Sequence, residues 1–345
     1  MNVGTCLRAF VALALILGGT ESWAQNVKIT PLGSHTGELC DRDRATIFED
    51  PSGVRILYDA GQSVTGADDA RLGAVHVVLL SHAHGDHIGD RKMAKLNAGT
   101  CDKPETVSAA PSSTTAEIAA AKNAAVVMVA DMGAFIGRKI EKIRGKPTGG
   151  CARASGDITV PSATACLATT QLGGTTTIKA TGAARAVEVT IVYASHASGV
   201  PASLLTDPEK TNLAADNLIL SLGPPTGYVI RFTNGLTVYL SGDTGLHTEM
   251  RTLVHDFHKA NLVVINLGPN AVTPQAAAYA INELVQPASV IASHPNEGVT
   301  NGGKLKPQTR TAKFVNLVKG RPVHLALSGR TMEFDGNAHC VAGCD

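Results

Sequence analysis

The chain has few charged residues and very few aromatic ones. Only 17% of its 345 residues are Asp, Glu, Lys or Arg and only 4% are Phe, Trp or Tyr, whereas 44% are hydrophobic. The 30 basic residues nearly balance the 29 acidic ones, and no run of Lys or Arg concentrates positive charge. Such a chain has no general attraction for a phosphate backbone, so we expect no nucleic acid as a partner. The hydrophobic content also excludes a disordered protein.

The N-terminal apolar stretch is too short to cross a bilayer. It covers residues 9–19 and follows Arg8, and small residues stand at Ser22 and Ala24. This pattern predicts a signal peptide over residues 1–24, cleaved before Gln25. We therefore expect a periplasmic or secreted protein with no membrane attachment after cleavage. An uncleaved anchor or a frayed first helix is the alternative.

Cysteine is scarce, and no C-x-x-C pair occurs. Cys6 falls within the predicted signal peptide, so six cysteines belong to residues 25–345. An even number in an exported chain predicts disulfides. Pairing of nearest neighbours, which leaves other connectivities open, gives Cys40 with Cys101, Cys151 with Cys166, and Cys340 with Cys344. The alternative is a structural zinc site, which the irregular spacings disfavour.

Short apolar segments separated by turn residues predict two groups of strands. The first group covers residues 27–31, 45–49, 54–58 and 75–80, and the second covers 187–193, 226–232, 237–240, 261–267 and 288–291. A helical pattern at residues 274–285 separates the last two strands. Strand pairs and helices in this order predict an α/β protein in which two sheets pack face to face with helices outside.

Residues 101–182 differ in character from the rest of the chain. Residues 116–143 carry apolar side chains at helical spacing with basic residues near the end, and a loop dense in Gly, Thr and Ala follows. We predict that this segment is a helical and loop insertion, with one or two helices, into one domain of residues 25–345. Such an insertion would cover the site or form a homodimer contact. A separate domain is the alternative, but the segment has too few bulky apolar residues to bury a core.

A dense cluster of metal-competent side chains directly follows the apolar run at residues 75–80. The sequence there is Ser81-His82-Ala83-His84-Gly85-Asp86-His87. The alternation lets His82 and His84 converge on one ion, while Asp86 and His87 can turn toward a second ion. Three further candidates each follow a predicted strand, namely His196, Asp243 and His294.

Taken together, these residues resemble the metallo-β-lactamase superfamily of hydrolases, whose fold is an αββα four-layer sandwich. Within it the chain is similar to the metal-dependent hydrolases related to ascorbate-6-phosphate lactonase, on Ala194-Ser195-His196 and on the segment from Tyr239 to Gly245. The resemblance implies that one ion binds to His82, His84 and His196. It implies a second ion at Asp86, His87 and His294, with Asp243 bridging the two.

The implied chemistry is hydrolysis of a small molecule. Two divalent ions, Zn²⁺ with Mn²⁺ or Fe²⁺ as alternatives, would share a water and lower its pKa toward ~7. Asp86 would orient this nucleophile. His35, in the loop Gly33 to Gly37, would contact substrate or act as an acid, or is a surface histidine.

The substrate class is open at this point. Because true metallo-β-lactamases lack the carboxylate at Asp243, we expect an ester or lactone ahead of a β-lactam, and slightly ahead of a phosphodiester. A protein that binds metal or substrate without catalysis is the alternative from another class.

Overall fold

The computed structural model describes Met1 and residues 26–344, so the predicted signal peptide lies outside the described residues apart from Met1. Sixteen strands build the two main sheets. In chain order they are β1 Val27–Pro31, β2 Thr46–Glu49, β3 Arg55–Tyr58, β4 Val77–Leu79, β5 Ala125–Val129, β6 Ile158–Val160, β7 Cys166–Thr170, β8 Thr175–Ala180, β9 Val187–Tyr193, β10 Thr226–Arg231, β11 Thr237–Leu240, β12 Leu262–Asn266, β13 Ser289–Ser293, β14 Val323–Leu325, β15 Met332–Phe334 and β16 Cys340–Ala342.

Each of the two sheets contains a four-stranded parallel part. The first has the order β7-β5-β4-β3-β2-β1-β15-β16 and the second β6-β8-β9-β10-β11-β12-β13-β14. In the first sheet β7, β5, β4 and β3 run parallel and the remaining neighbours are antiparallel. In the second sheet β11, β12, β13 and β14 form the four-stranded parallel part, and the edge strands β6 and β8 also pair in parallel. The neighbours from β8 to β11 are antiparallel. The continuous apolar runs of β4, β5, β12 and β13 suit strands covered on both faces.

Helices lie outside the two sheets. They are α1 Gly85–Ile88, α2 Thr114–Lys122, α3 Gly133–Arg144, α4 Asp207–Ala215, α5 Pro274–Tyr279 and α6 Arg310–Leu317, with π-helical segments at Met250–Phe257 and Ala280–Val285 and 3₁₀ turns at Ala70–Leu72, Ala130–Met132 and Ala202–Leu204. Three two-stranded ribbons complete the described elements, Arg91–Met93 with Thr106–Ser108, Gly99–Thr100 with Lys103–Pro104, and Thr300–Asn301 with Lys304–Leu305.

Three apolar clusters separate four layers. The central cluster joins the facing sides of both sheets, where the rings of Phe48 and Phe232 stack with centroids 6.1 Å apart. A second cluster lies between the first sheet and helices α2 and α3, and a third between the second sheet and helices α5 and α6. The predicted αββα sandwich is confirmed.

The prediction for residues 101–182 is right about the helices and wrong about the loop. The helical pattern at residues 116–143 is two helices, α2 and α3, separated by the fully buried strand β5. Strands β6, β7 and β8 follow where the sequence suggested a loop. The segment thus supplies strands to both sheets. Its Val and Thr residues favour strands, because β-branched side chains suit a pleated, half-buried surface. The stretch predicted as one loop therefore contains three strands of the main sheets.

The six cysteines of the described chain lie in the three pairs expected from the sequence. Cys40 stands beside Cys101, Cys151 beside Cys166, and Cys340 beside Cys344. The first pair lies where the loop after β1 meets the turn of the Gly99–Pro104 ribbon. Within the described residues, no helix has the length and apolar character needed to cross a membrane.

Candidate metal centre

Every candidate ligand lies just beyond the carboxyl end of a strand. His82 and His84 follow β4, and Asp86 and His87 belong to the short helix α1 that begins one residue after His84. Three other strands of the opposite sheet end at the same edge, and His196 follows β9, Asp243 follows β11 and His294 follows β13. The ends of strands from two facing sheets therefore meet at one place, where side chains from loops distant in sequence converge.

The first group of side chains is His82, His84 and His196, whose ligand atoms lie within 4.8 Å of one another. Nε2 of His82 faces Nδ1 of His84 at 3.0 Å. Nδ1 of His82 contacts the hydroxyl of Ser81 at 3.0 Å, so that the other nitrogen points into the group. His82 is fully buried and the other two are partly exposed.

The second group consists of Asp86, His87, Asp243 and His294. Nε2 of His87 lies 3.1 Å from Nε2 of His294, and both nitrogens approach Oδ1 of Asp243, at 3.1 and 2.9 Å. That oxygen is buried and makes no hydrogen bond within the described residues. Its other carboxylate oxygen, Oδ2, faces Nε2 of His196 in the first group at 3.6 Å.

The electrostatics of the two groups differ. Burial lowers the pKa of His82 well below its usual value, and it also lowers those of His84 and His196, so the first group offers neutral imidazoles. In the second group burial by itself lowers the pKa of His87, but nearby carboxylates, above all Asp243, outweigh it and raise the pKa to about 10. In the second group a proton on His87 thus offsets the negative charge of the carboxylates, and a metal ion that entered the group would displace this proton.

The two carboxylates of the second group are ionised. Burial favours the neutral form of Asp86, but the guanidinium of Arg44 and the imidazole of His87 hold its pKa well below the usual range. Asp243 is likewise held low against the effect of burial, in this case by His294 and His87. Ionised carboxylates beside imidazole nitrogens are a donor set that suits a divalent transition metal ion.

These residues fit two adjacent cations. Pairs of imidazole nitrogens face each other at about hydrogen-bond distance, and the buried Oδ1 of Asp243 has no hydrogen-bond donor although two nitrogens lie near it. A shared cation in each group would satisfy these lone pairs. The groups are the same two sets that the resemblance implied, with one carboxylate between them.

Two residues of the centre escaped the sequence analysis. Asp59, directly after β3, is buried and receives hydrogen bonds from Ser81, through N at 2.9 Å and Oγ at 2.7 Å. Its Oδ2 also lies 2.7 Å from Nδ1 of His87. Arg44, before β2, forms a close ion pair with Asp86. The position of Asp59 directly after an apolar strand could have marked it as a candidate for the centre. No residue near Arg44 in the sequence indicates that it pairs with Asp86.

His35 belongs to neither group. Its Nδ1 contacts the hydroxyl of Ser34 at 3.1 Å and its Nε2 lies 3.4 Å from the carbonyl oxygen of Gly99. Both ring nitrogens thus have neighbours within the protein, Ser34 and Gly99. A role for His35 toward substrate stays a prediction.

Comparison with protein families settles the relationship. Residues 54–294, more than two thirds of the chain, match the family model described as "Beta-lactamase superfamily domain". The chain belongs to the metallo-β-lactamase superfamily. The match begins just before β3 and ends at the last candidate ligand, so it includes every residue of both ligand groups.

Individual relatives agree with this membership. This superfamily member is 26% identical over 274 residues to a UPF0173 metal-dependent hydrolase of Koribacter versatilis, over 78% of the chain and 84% of that protein. It is 27% identical over 340 residues to a UPF0173 metal-dependent hydrolase of Polynucleobacter asymbioticus, over 94% of the chain and 96% of that protein. It is a metal-dependent hydrolase.

Among solved structures, the metallo hydrolase Igni18 of Ignicoccus hospitalis shares the fold. The TM-score is 0.52 at 20% sequence identity, over 90% of this chain and 99% of that one. At this identity the likeness concerns the arrangement of the sheets and helices only.

Proposed function

We propose that this hydrolase is an exported enzyme that binds two divalent ions and cleaves a small-molecule ester or lactone. The observation that carries the two-ion part is the carboxylate of Asp243. One of its oxygens approaches His87 and His294, and the other approaches His196 of the first group. A carboxylate so placed supports a bridge between two ions, with Zn²⁺ as the first metal to test and Mn²⁺ and Fe²⁺ next.

Ions held by these groups would lower the pKa of a bound water and polarise the carbonyl oxygen of the substrate. The roles of the protein's own residues follow from their contacts. Asp86 is ionised and about a quarter of its side chain is exposed, so it can orient a water molecule by accepting a hydrogen bond from it. Asp59 contacts Nδ1 of His87 and Ser81 contacts Nδ1 of His82. In both imidazoles Nε2 is therefore the nitrogen that points into the ligand group.

Three features support the finer parts of the proposal. The three cysteine pairs are consistent with disulfides formed in an oxidising compartment, and so with export. The similarity to ascorbate-6-phosphate lactonase relatives on Ala194-Ser195-His196 supports a lactone as the first substrate to test. A homodimer contact through residues 101–182 stays a prediction.

The test combines metal analysis with rates. Purified protein should contain two ions per chain by plasma mass spectrometry, and it should hydrolyse members of a panel of lactones, carboxylic esters, phosphodiesters and β-lactams. Chelation should abolish activity and added metal should restore it. Asp243→Ala should lose at least one ion and turnover, whereas His339→Ala, an exposed imidazole beside Asp335, should keep both.

The possible results separate the alternatives. Two ions without hydrolysis of any panel member would indicate a metal-binding protein and contradict the enzyme as proposed. Fastest cleavage of a phosphodiester or a β-lactam would replace the acyl-ester substrate class by that one. Activity that survives Asp243→Ala would show that catalysis occurs elsewhere.

A further inference from the structure

Arg44 is a buried cation beside the second ligand group. It is 3% exposed, and its Nη2 donates to Oδ2 of Asp86 in a close ion pair and to Oδ1 of Asn296 at 2.8 Å. A guanidinium remains charged at any pH at which a protein is folded. The second group therefore has a permanent positive charge at its edge.

Arg44 contacts the carboxylate oxygen of Asp86 that faces the other ligands of the group. Oδ2 of Asp86 lies 3.7 Å from Nε2 of His294 and 3.9 Å from Nε2 of His87. An ion bound among these atoms would draw on the same oxygen that accepts the hydrogen bond from Arg44. The guanidinium and the ion would therefore compete for one carboxylate.

Of the three guanidinium nitrogens of Arg44, Nη2 is the one that donates hydrogen bonds within the described residues. Nε and Nη1 of Arg44 are buried and have no hydrogen-bond partner among the described residues. Buried donors without acceptors are unfavourable, so hydrogen bonding alone does not explain this position. Attraction to the ionised Asp86 does, because an unpaired buried carboxylate would cost still more.

We propose that Arg44 is a positioning residue that neutralises Asp86 in the metal-free protein and lowers the affinity of the second group for its ion. The proposal rests on the proposed function, because it requires an ion in that group. Repulsion between a guanidinium and a divalent ion is strong at such short range, even at an effective dielectric constant of ~20. The second group should therefore fill at a higher metal concentration than the first, and occupancy of the enzyme would follow metal supply.

The test replaces the charge of Arg44 and measures both metal affinity and metal-free stability. Arg44→Met removes the charge and keeps much of the side-chain volume, whereas Arg44→Lys keeps the charge. Metal-stripped proteins are titrated with Zn²⁺ by calorimetry and unfolded by heat without metal. We expect Arg44→Met to bind the second ion at least about 10-fold more tightly, because repulsion is gone. The same variant should melt at a lower temperature without metal, because Asp86 is left unpaired.

The opposite signs of these two effects are the distinguishing result. A residue needed only for structure would lower both metal affinity and stability when it is replaced. Arg44→Lys should keep the second dissociation constant within about threefold of the wild-type value, because the charge remains. An unchanged or weaker second site in Arg44→Met would contradict the proposal.

Arg44→Gln offers a second uncharged variant if Arg44→Met fails to fold. Its amide can still donate a hydrogen bond toward Asp86 or Asn296, so less hydrogen bonding is lost. We expect a gain in second-ion affinity of the same sign as in Arg44→Met, because the charge is again removed, and no gain would contradict the proposal. A wild-type protein that binds fewer than two ions would contradict the proposed function itself. Two ions with no gain in either variant would contradict the role of Arg44 alone.

Discussion

The histidines that line the centre are oriented through the nitrogen that faces away from it. Nδ1 of His87 contacts Asp59, and Nδ1 of His82 contacts Ser81, whose hydroxyl donates to the same carboxylate. Asp59 therefore fixes one imidazole in each ligand group. Contacts of this kind select the nitrogen that is free to bind a metal ion and raise its basicity.

We predict that Asp59→Asn weakens metal binding about 10- to 100-fold, the usual effect of losing an outer partner of a ligating histidine. An amide offers one acceptor where Asp59 offers two, so it cannot accept from His87 and from both donors of Ser81 as the carboxylate does. Competition between the protein and a coloured chelator measures the change.

A matched control exists at the protein surface. Asp335 contacts Nδ1 of His339 at 3.1 Å, which is the same pair of groups outside either ligand group. Asp335→Asn should leave metal affinity unchanged. Equal losses in the two variants would show that the effect of Asp59→Asn is a general loss of stability.

Asp43 should make stability depend on pH. Complete burial raises the pKa of its carboxyl to about 7, although the backbone N–H groups of Cys40 and Ser34 lower it. In the unfolded chain the group titrates near 3.8. Between about pH 4 and 7 the folded protein therefore holds a proton that the unfolded chain releases, so the contribution of Asp43 falls as pH rises, by up to ~1.4 kcal/mol per pH unit.

Asp43→Asn should remove this slope, because the amide does not titrate. Urea unfolding of both proteins across that range gives the measurement, and subtraction cancels groups common to both. The variant will also be less stable, since its amide N–H₂ faces a backbone donor. A constant difference between the two proteins across the range would show that Asp43 is ionised in the folded state.

Sequence reasoning worked best for residues that carry their own local signal. His82, His196, Asp243 and His294 each stand within three residues of the end of an apolar strand. Because the ends of parallel strands share one edge of a sheet, their convergence could be expected. Arg44 could not be found in this way, because its role depends on Asp86, 42 residues away. Long-range pairing leaves no periodicity in the sequence near either partner.

At the scale of elements, the segment of residues 114–144 shows where pattern reasoning fails. The five residues of β5 are all buried, and their sequence AVVMV continues the apolar spacing of the helices on either side. A short apolar run cannot be assigned to a helix or a strand by periodicity alone. The structural break is at Asn123, which adopts a left-handed conformation with φ of 53° and ends helix α2.

Substitutions at Asn123 distinguish a helix that ends at this residue from one continuous helix, because the difference in stability between the alanine and glycine variants has opposite sign in the two cases. In the structure Asn123→Ala should destabilise the protein by about 1 kcal/mol, because a Cβ without a compensating polar group is strained in the left-handed region. Asn123→Gly should be neutral or slightly stabilising. In one continuous helix Ala would instead be better than Gly by ~1 kcal/mol. Chemical unfolding of the two variants decides the matter, and greater stability of the alanine variant would contradict the break at this position.

For the whole molecule, the cysteine pairs close loops of very different length. The sequence separation is 61 for Cys40 and Cys101, 15 for Cys151 and Cys166, and 4 for Cys340 and Cys344. If all three are oxidised, restriction of the unfolded chain gives about 4 kcal/mol for the first pair and about 3 kcal/mol for the second. Replacing both cysteines by serine, one pair at a time, should lower stability in that order, with the C-terminal pair least. Equal effects of all three double variants would contradict the entropic argument.

The candidate centre also joins the two sheets. His82, His84, Asp86 and His87 follow a strand of the first sheet, whereas His196, Asp243 and His294 follow strands of the second. An ion in either group would thus bond both halves of the sandwich, and it would bind the folded protein alone. At a free metal concentration about 100-fold above the dissociation constant, one site adds ~2.7 kcal/mol to the free energy of unfolding.

Chelation should therefore lower the melting temperature, by about 4 °C for each ion in a protein of this size. Differential scanning calorimetry with metal and with a chelator measures the shift. Asp243→Ala should show a smaller shift, because the carboxylate shared by both groups is lost, while His339→Ala should show the wild-type shift. If the melting temperature of the wild-type protein did not respond to chelation or to added metal, the two sheets would be held by their apolar core alone, and the proposed ions would have no part in the stability of the fold.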